Sequence, residues 1–130
     1  MGLNPDKVAD LGFSDVFPST CGSFPNGIPS NVGEFFGPVE EYSFVVPKAS
    51  TQQSISKEAA YFVFGFGNES GVEPWTDSSM LFIRDANSGT QQMFGTAIGV
   101  PPDRWKGVTE TSSGTLATDL FALSPFLADL

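Results

Sequence analysis

Histidine is absent from the 130 residues, cysteine occurs once, and only 6 Lys+Arg stand against 15 Asp+Glu, for a formal net charge of -9 at pH 7. Without histidine there is no Ser-His-Asp or Cys-His relay, no histidine-containing zinc site and no imidazole titrating near neutrality. The single Cys21 excludes an intrachain disulfide framework and a cysteine-rich metal site, and in its Ser/Pro/Gly surroundings, with no basic neighbour, it reads as an inert thiol. Nucleic acid and anionic membranes are bound mainly by Lys and Arg, so a chain this short of cations suits neither. Long hydrophobic runs are also lacking. The longest, Ala59 to Phe66, is far below the roughly 18 residues needed to cross a bilayer. The opening Met1-Gly2-Leu3-Asn4-Pro5-Asp6-Lys7 shows no signal-peptide pattern and no Ser or Thr at the sixth position for myristoylation, so a cytoplasmic protein or a mature or excised piece is expected. The sequon Asn68-Glu69-Ser70 would matter only in a secreted eukaryotic protein.

What is present calls for a core. Hydrophobic residues make up 40% of the chain and include 13 phenylalanines, too many for a disordered acidic tail and enough for one domain. Leu11 to Phe17 alternates loosely up to Pro18 and predicts a short strand. A long Pro/Gly/Ser/Asn-rich connection follows to Pro38, and Phe44-Val45-Val46 before Pro47 predicts a second strand. Ser56, with Glu58 in the first turn, starts a helix through Phe64 that Gly65 and Gly67 stop. Met80 to Arg84 reads as an interior strand. Ser88-Gly89-Thr90 opens a helix with Met93, Phe94, Ala97 and Ile98 on one face, closed by Gly99, Pro101 and Pro102; Ser113-Gly114-Thr115 opens another that ends before Pro125. The two Ser-Gly-Thr runs differ in their surroundings and show no fixed-period repeat. Strands alternating with helices predict an α/β layered fold.

Arg84-Asp85-Ala86-Asn87-Ser88-Gly89-Thr90 carries the most chemistry. A strand ends in a cation, the chain turns, and a helix begins on two hydroxyl residues around a glycine. Free N–H groups, the positive end of the helix dipole, two hydroxyls and a guanidinium make an oxyanion site. The same residues also read as an N-cap serine beside an arginine that satisfies Asp85 or a carbonyl. Other motifs are weaker. Ser54-Ile55-Ser56-Lys57 fits a serine activated by lysine but lacks the accompanying Ser-Asp-Asn and Lys-Thr-Gly elements. Gly65 to Gly71 has one residue too many for a dinucleotide loop and reads as a helix C-cap. In Asp85 to Thr96, Gly89 and Thr96 stand where a calcium loop needs ligands. No cofactor or metal is expected.

Three features in order resemble the phosphate-binding proteins of ABC-type transporters, of the type II periplasmic binding-protein fold. They are Gly12-Phe13-Ser14-Asp15; the helix Ile55 to Phe64 ending in Gly65 and followed by Trp75-Thr76-Asp77; and Arg84 with Ser88-Gly89-Thr90. The likeness runs from about Leu11 to Gly107 and covers part of the family's length. Ala86 and Asn87 stand where an acid and a glycine are usual, which leaves Asp85 as the substitute for the arginine's orienting carboxylate. The resemblance implies that residues 1–40 are a first-lobe remnant with a long loop and 41–130 a second-lobe α/β domain. It implies a binding module and not an enzyme, extracytoplasmic, delivering phosphate or a related oxyanion to a transporter permease. Arg84 would pair with the anion, Ser88, Gly89 and Thr90 would donate through hydroxyls and backbone amides, and Asp15 would accept from a protonated ligand oxygen, selecting phosphate over fully ionised sulfate. With one lobe alone, binding at about millimolar or weaker is expected, with self-association through the missing-lobe face. The alternative is a structural or interaction module that keeps the fold without the site.

Overall fold

The computed structural model describes residues 11–20 and 26–123; Cys21 lies outside them. The described residues combine helix and strand: three α-helices, a two-stranded parallel sheet and short 3-10 turns. α1 spans Lys57–Phe66, β1 Phe82–Arg84, α2 Gly89–Ile98, β2 Val108–Glu110 and α3 Ser113–Ala122. None of the helices is long and apolar enough to cross a membrane.

Local chemistry sets the ends of α1. Ser56 is extended and its Oγ accepts the Ala59 N–H at 3.1 Å, while Glu58 sits in the first turn. Gly65 does not end the helix, as the sequence suggested, but lies inside it. The terminator is Gly67, whose φ of +60 no side-chain residue adopts cheaply and whose N–H returns to the Val63 carbonyl. Ala60, Val63 and Phe64 form the buried face. They meet Leu81, Ile83, Ile98 and Val100 in one core, against which Ile55, Val72, Trp75 and Trp105 pack. The Phe64 and Trp105 rings lie 4.6 Å apart, and the Trp105 indole donates to the Val100 carbonyl at 2.9 Å.

β1 and β2 pair in parallel, with Phe82 opposite Val108, Ile83 opposite Thr109 and Arg84 opposite Glu110. The approach depends on Gly107, at φ +145, where a Cβ would come within 2.6 Å of the Leu81 carbonyl oxygen; the neighbouring Val108 N–H donates to that oxygen at 2.7 Å. α2 lies between the two strands in the chain. Its buried residues are Gln91, Gly95 and Ile98; of the face expected from the sequence, Ile98 is buried, Met93 and Phe94 are half-buried and Ala97 is exposed. Gly95 explains the rotation, because a Cβ there would stand 2.8 Å from the Val100 carbonyl oxygen and 3.0 Å from the Pro102 ring. The helix packs through its glycine.

Two expected strands are absent. Residues 11–17 form no strand, and Ser14 organises a turn in which its Oγ donates to the Val16 carbonyl at 2.9 Å and accepts the Val16 N–H at 3.2 Å. Phe44-Val45-Val46 is irregular as well. Its anchor is aromatic: Phe44 stacks on Phe64 at 5.3 Å and leans on Phe94 at 4.8 Å. Conversely, β2 was not expected from the sequence.

Candidate functional site

Both α2 and α3 start at the carboxyl end of a strand. Each has a serine N-cap in extended conformation, Ser88 for α2 and Ser112 for α3. Because β1 and β2 are adjacent and parallel, these two helix starts lie side by side at one end of the sheet. The two Ser-Gly-Thr runs therefore lie at neighbouring helix starts, offset by one residue: Ser88 is the N-cap of α2, and Ser113 is the first residue of α3 after its N-cap Ser112. Helix starts leave N–H groups without intrahelical partners and carry positive partial charge, so this end of the sheet favours anions.

Four of the five expected site residues lie on the β1–α2 connection. Arg84 ends β1, with its side chain about four-fifths buried (19% exposed). Ser88 is buried and its Oγ accepts the Gln91 N–H at 3.5 Å. Its own N–H is already committed, donating to the Asp85 carbonyl at 2.9 Å, so the amides left for a ligand are those of Gly89 and Thr90. That corrects the expectation that all three backbone amides are free. The fifth residue, Asp15, comes from far away in the chain. A Cβ on Gly89 would collide with the Asp15 carboxylate, which rests against the glycine at the start of α2. Only a residue without a side chain permits this approach.

Of the two partners that the sequence offers Arg84, Asp85 and a carbonyl, both are present and the carbonyls are nearer. Asp85 Oδ2 stands 3.8 Å from the guanidinium, a weak contact, and Asp85 Oδ1 accepts the Asn87 N–H at 3.0 Å instead. The guanidinium donates to the β2–α3 turn: Nε to the Glu110 carbonyl at 3.3 Å, one terminal nitrogen to the Thr111 carbonyl at 3.2 Å and the other to Ser113 Oγ at 2.6 Å. On the far side of the residue, the Arg84 backbone N–H donates to Gln91 Oε1 at 3.3 Å. Gln91 is 97% buried, and its Nε2 has no hydrogen-bond partner among the described residues.

Sequence reasoning missed Ser113, Gln91 and the turn of Glu110 and Thr111. The available signal for Ser113 was the second Ser-Gly-Thr run, which marks a second helix start although its cap is Ser112. The site is a surface platform. An open cleft of about 390 Å³, lined by Thr20, Ala86, Gln92, Thr96, Pro102 and Asp103, contains none of the five site residues. Ser54 and Lys57 lie exposed at the start of α1.

The carboxylate of Glu110 is pushed above its ordinary value, first by desolvation and then by its hydrogen bond to, and repulsion from, Asp119. Asp77, in the loop before β1, is held low by the Ser79 hydroxyl and N–H, which donate at 2.7 and 2.9 Å. Comparison with protein-family models, curated proteins and solved structures gives no match for this chain.

Proposed function

We propose that this chain binds inorganic phosphate or a closely related oxyanion at the start of α2, as a solute-binding module of the kind that serves ABC-type transporters outside the cytoplasm. One observation carries the reading: the Asp15 carboxylate lies against Gly89, beside the strand end that bears Arg84. In the described fold a carboxylate already sits at the helix start, where an anion belongs. A dianion that retains no proton would be repelled by it. A ligand oxygen that carries a proton donates to it, while its other oxygens take the Gly89 and Thr90 amides, the Ser88 and Thr90 hydroxyls and the guanidinium. Phosphate near neutrality has that proton and sulfate does not.

The donors are few and the platform is open. Three or four charge-assisted bonds at roughly 1.5 to 3 kcal/mol each, against an association cost of at least about 4 kcal/mol, give an affinity of about millimolar. No metal or organic cofactor enters the mechanism, and no bond is made or broken.

A second reading has its own observation. Three of the guanidinium N–H groups are already spent on Glu110, Thr111 and Ser113, which is how an arginine would look in a module that keeps the fold and binds no anion. Thermal melting with phosphate, arsenate and sulfate separates the two. Ligand binding to the native state raises the melting temperature by mass action. Phosphate and arsenate are expected to stabilise the wild type more than sulfate does, and Arg84→Ala is expected to lose the difference. Equal shifts with all three anions in both proteins favour the second reading.

A further inference from the structure

The hydrogen bonds of this site's arginine go to neutral acceptors, and their source is the second helix start. Nε, and each terminal nitrogen once, donate into Glu110–Ser113, so the guanidinium plane is fixed by the β2–α3 turn and not by its own loop. Ser113 makes the shortest of the three bonds at 2.6 Å and is the only side chain among the three acceptors. We propose that Ser113 is the positioning residue for Arg84: its hydroxyl aims the guanidinium at the oxyanion and ties the first turn of α3 to the ligand. This rests on the oxyanion reading above.

The choice of acceptor has an electrostatic consequence. A carboxylate in bidentate contact would offset most of the arginine's charge, whereas two carbonyls and a hydroxyl orient it and leave the charge for the ligand. Asp85 pairs with it at 3.8 Å without a hydrogen bond, its Oδ1 accepting the Asn87 N–H instead. The Glu110 side chain is not among the acceptors; its backbone carbonyl is. Each terminal nitrogen keeps a second N–H beyond the bonds to Thr111 and Ser113. The site therefore presents a guanidinium whose hydrogen bonds go to neutral acceptors and whose one carboxylate within 4 Å among the described residues is Asp85.

The composition makes the test clean, because the chain has two arginines, Arg84 and Arg104. In the nitrogen-15 labelled 130-residue chain each gives one Nε–H resonance. The wild type is expected to show one signal in the averaged, solvent-exposed position and one displaced from it, which disappears in Arg84→Ala. Ser113→Ala is expected to return the displaced signal to the averaged position and to weaken phosphate binding about tenfold, with the backbone amide spectrum otherwise unchanged. Ser113→Thr keeps a hydroxyl and is expected to restore both. A purely structural serine would alter backbone spectra and melting without moving the Nε–H signal. The inference is overturned if Ser113→Ala keeps the displaced signal and the wild-type phosphate response, or if Ser113→Thr fails to restore what Ser113→Ala loses. Absence of any phosphate response in the wild type, with the displaced signal still lost in Ser113→Ala, overturns the oxyanion reading and with it the functional role assigned to Ser113.

Discussion

Replacing Gly107 by alanine tests the joint on which the site depends. The residue sits at φ +145, and a Cβ there would lie 2.6 Å from the Leu81 carbonyl oxygen and 3.2 Å from an Ile83 methyl. The first obstacle is backbone and cannot rotate away. Forcing a side-chain residue into a sparsely populated backbone region costs about 1–3 kcal/mol. Separating the strands enough to admit the methyl also breaks the 2.7 Å bond from the Val108 N–H to Leu81, a further loss of about 0.5–1.5 kcal/mol. The expected total is about 2–4 kcal/mol, which at a urea dependence of about 2 kcal/mol/M moves the unfolding midpoint down by about 1–2 M. Gly71→Ala is the control, because Gly71 has φ +64 and nothing within 4 Å of its Cβ position, so it bears a backbone cost of about 1–2 kcal/mol alone. Urea titrations followed by circular dichroism compare the two. If Gly107→Ala destabilises no more than Gly71→Ala, the close parallel approach of β1 and β2 is not what places Arg84 beside Glu110, and the geometry of the site must be redrawn.

Two more predictions concern the core and its pH dependence. Val63 is 1% exposed, so Val63→Ala removes two buried methyl groups and is expected to cost about 2–3 kcal/mol including the cavity, read as a lower urea midpoint; a loss below about 1 kcal/mol would mean that the core around α1 collapses freely. Glu110 has a folded-state pKa raised above its unfolded value, so its contribution to stability is complete below the ordinary glutamate range and disappears as pH rises through the folded value. Glu110→Gln is therefore expected to match the wild type in acid and to exceed it in stability above that range, and urea midpoints that fall below the wild type's at neutral pH would contradict the assignment.

The parts of the fold that were legible in the sequence are those with short-range causes. Ser56 and Gly67 bound α1, and Ser88 and Gly99 bound α2, because caps are made by residues within one turn of the bonds they satisfy. β2 was missed for the opposite reason. Val108-Thr109-Glu110 has no strand pattern of its own and becomes a strand only by pairing with β1 across the Gly107 approach. Phe44-Val45-Val46 has the pattern of a strand, yet what holds Phe44 is ring contact with Phe64 and Phe94 on two helices. The site divides in the same way. Arg84, Ser88, Gly89 and Thr90 stand together because strand, turn and helix start are consecutive, whereas Asp15 reaches Gly89 only through the fold. Ser113 and the Glu110 and Thr111 carbonyls belong to the site only through the register that sets Arg84 opposite Glu110. A local reading of the Arg84 loop offers Asp85 or a carbonyl; Asp85 stands at 3.8 Å, and the carbonyls that accept from the guanidinium lie in a turn more distant in sequence.

The most direct test of the oxyanion reading is a phosphate titration followed at the backbone amide resonances of Gly89 and Thr90. Both are expected to shift together and to saturate with an apparent Kd of about 1 mM, while Arg84→Ala leaves them unmoved over the same range. Amides that stay in place in the wild type, or that shift equally in Arg84→Ala, would contradict phosphate recognition at the start of α2.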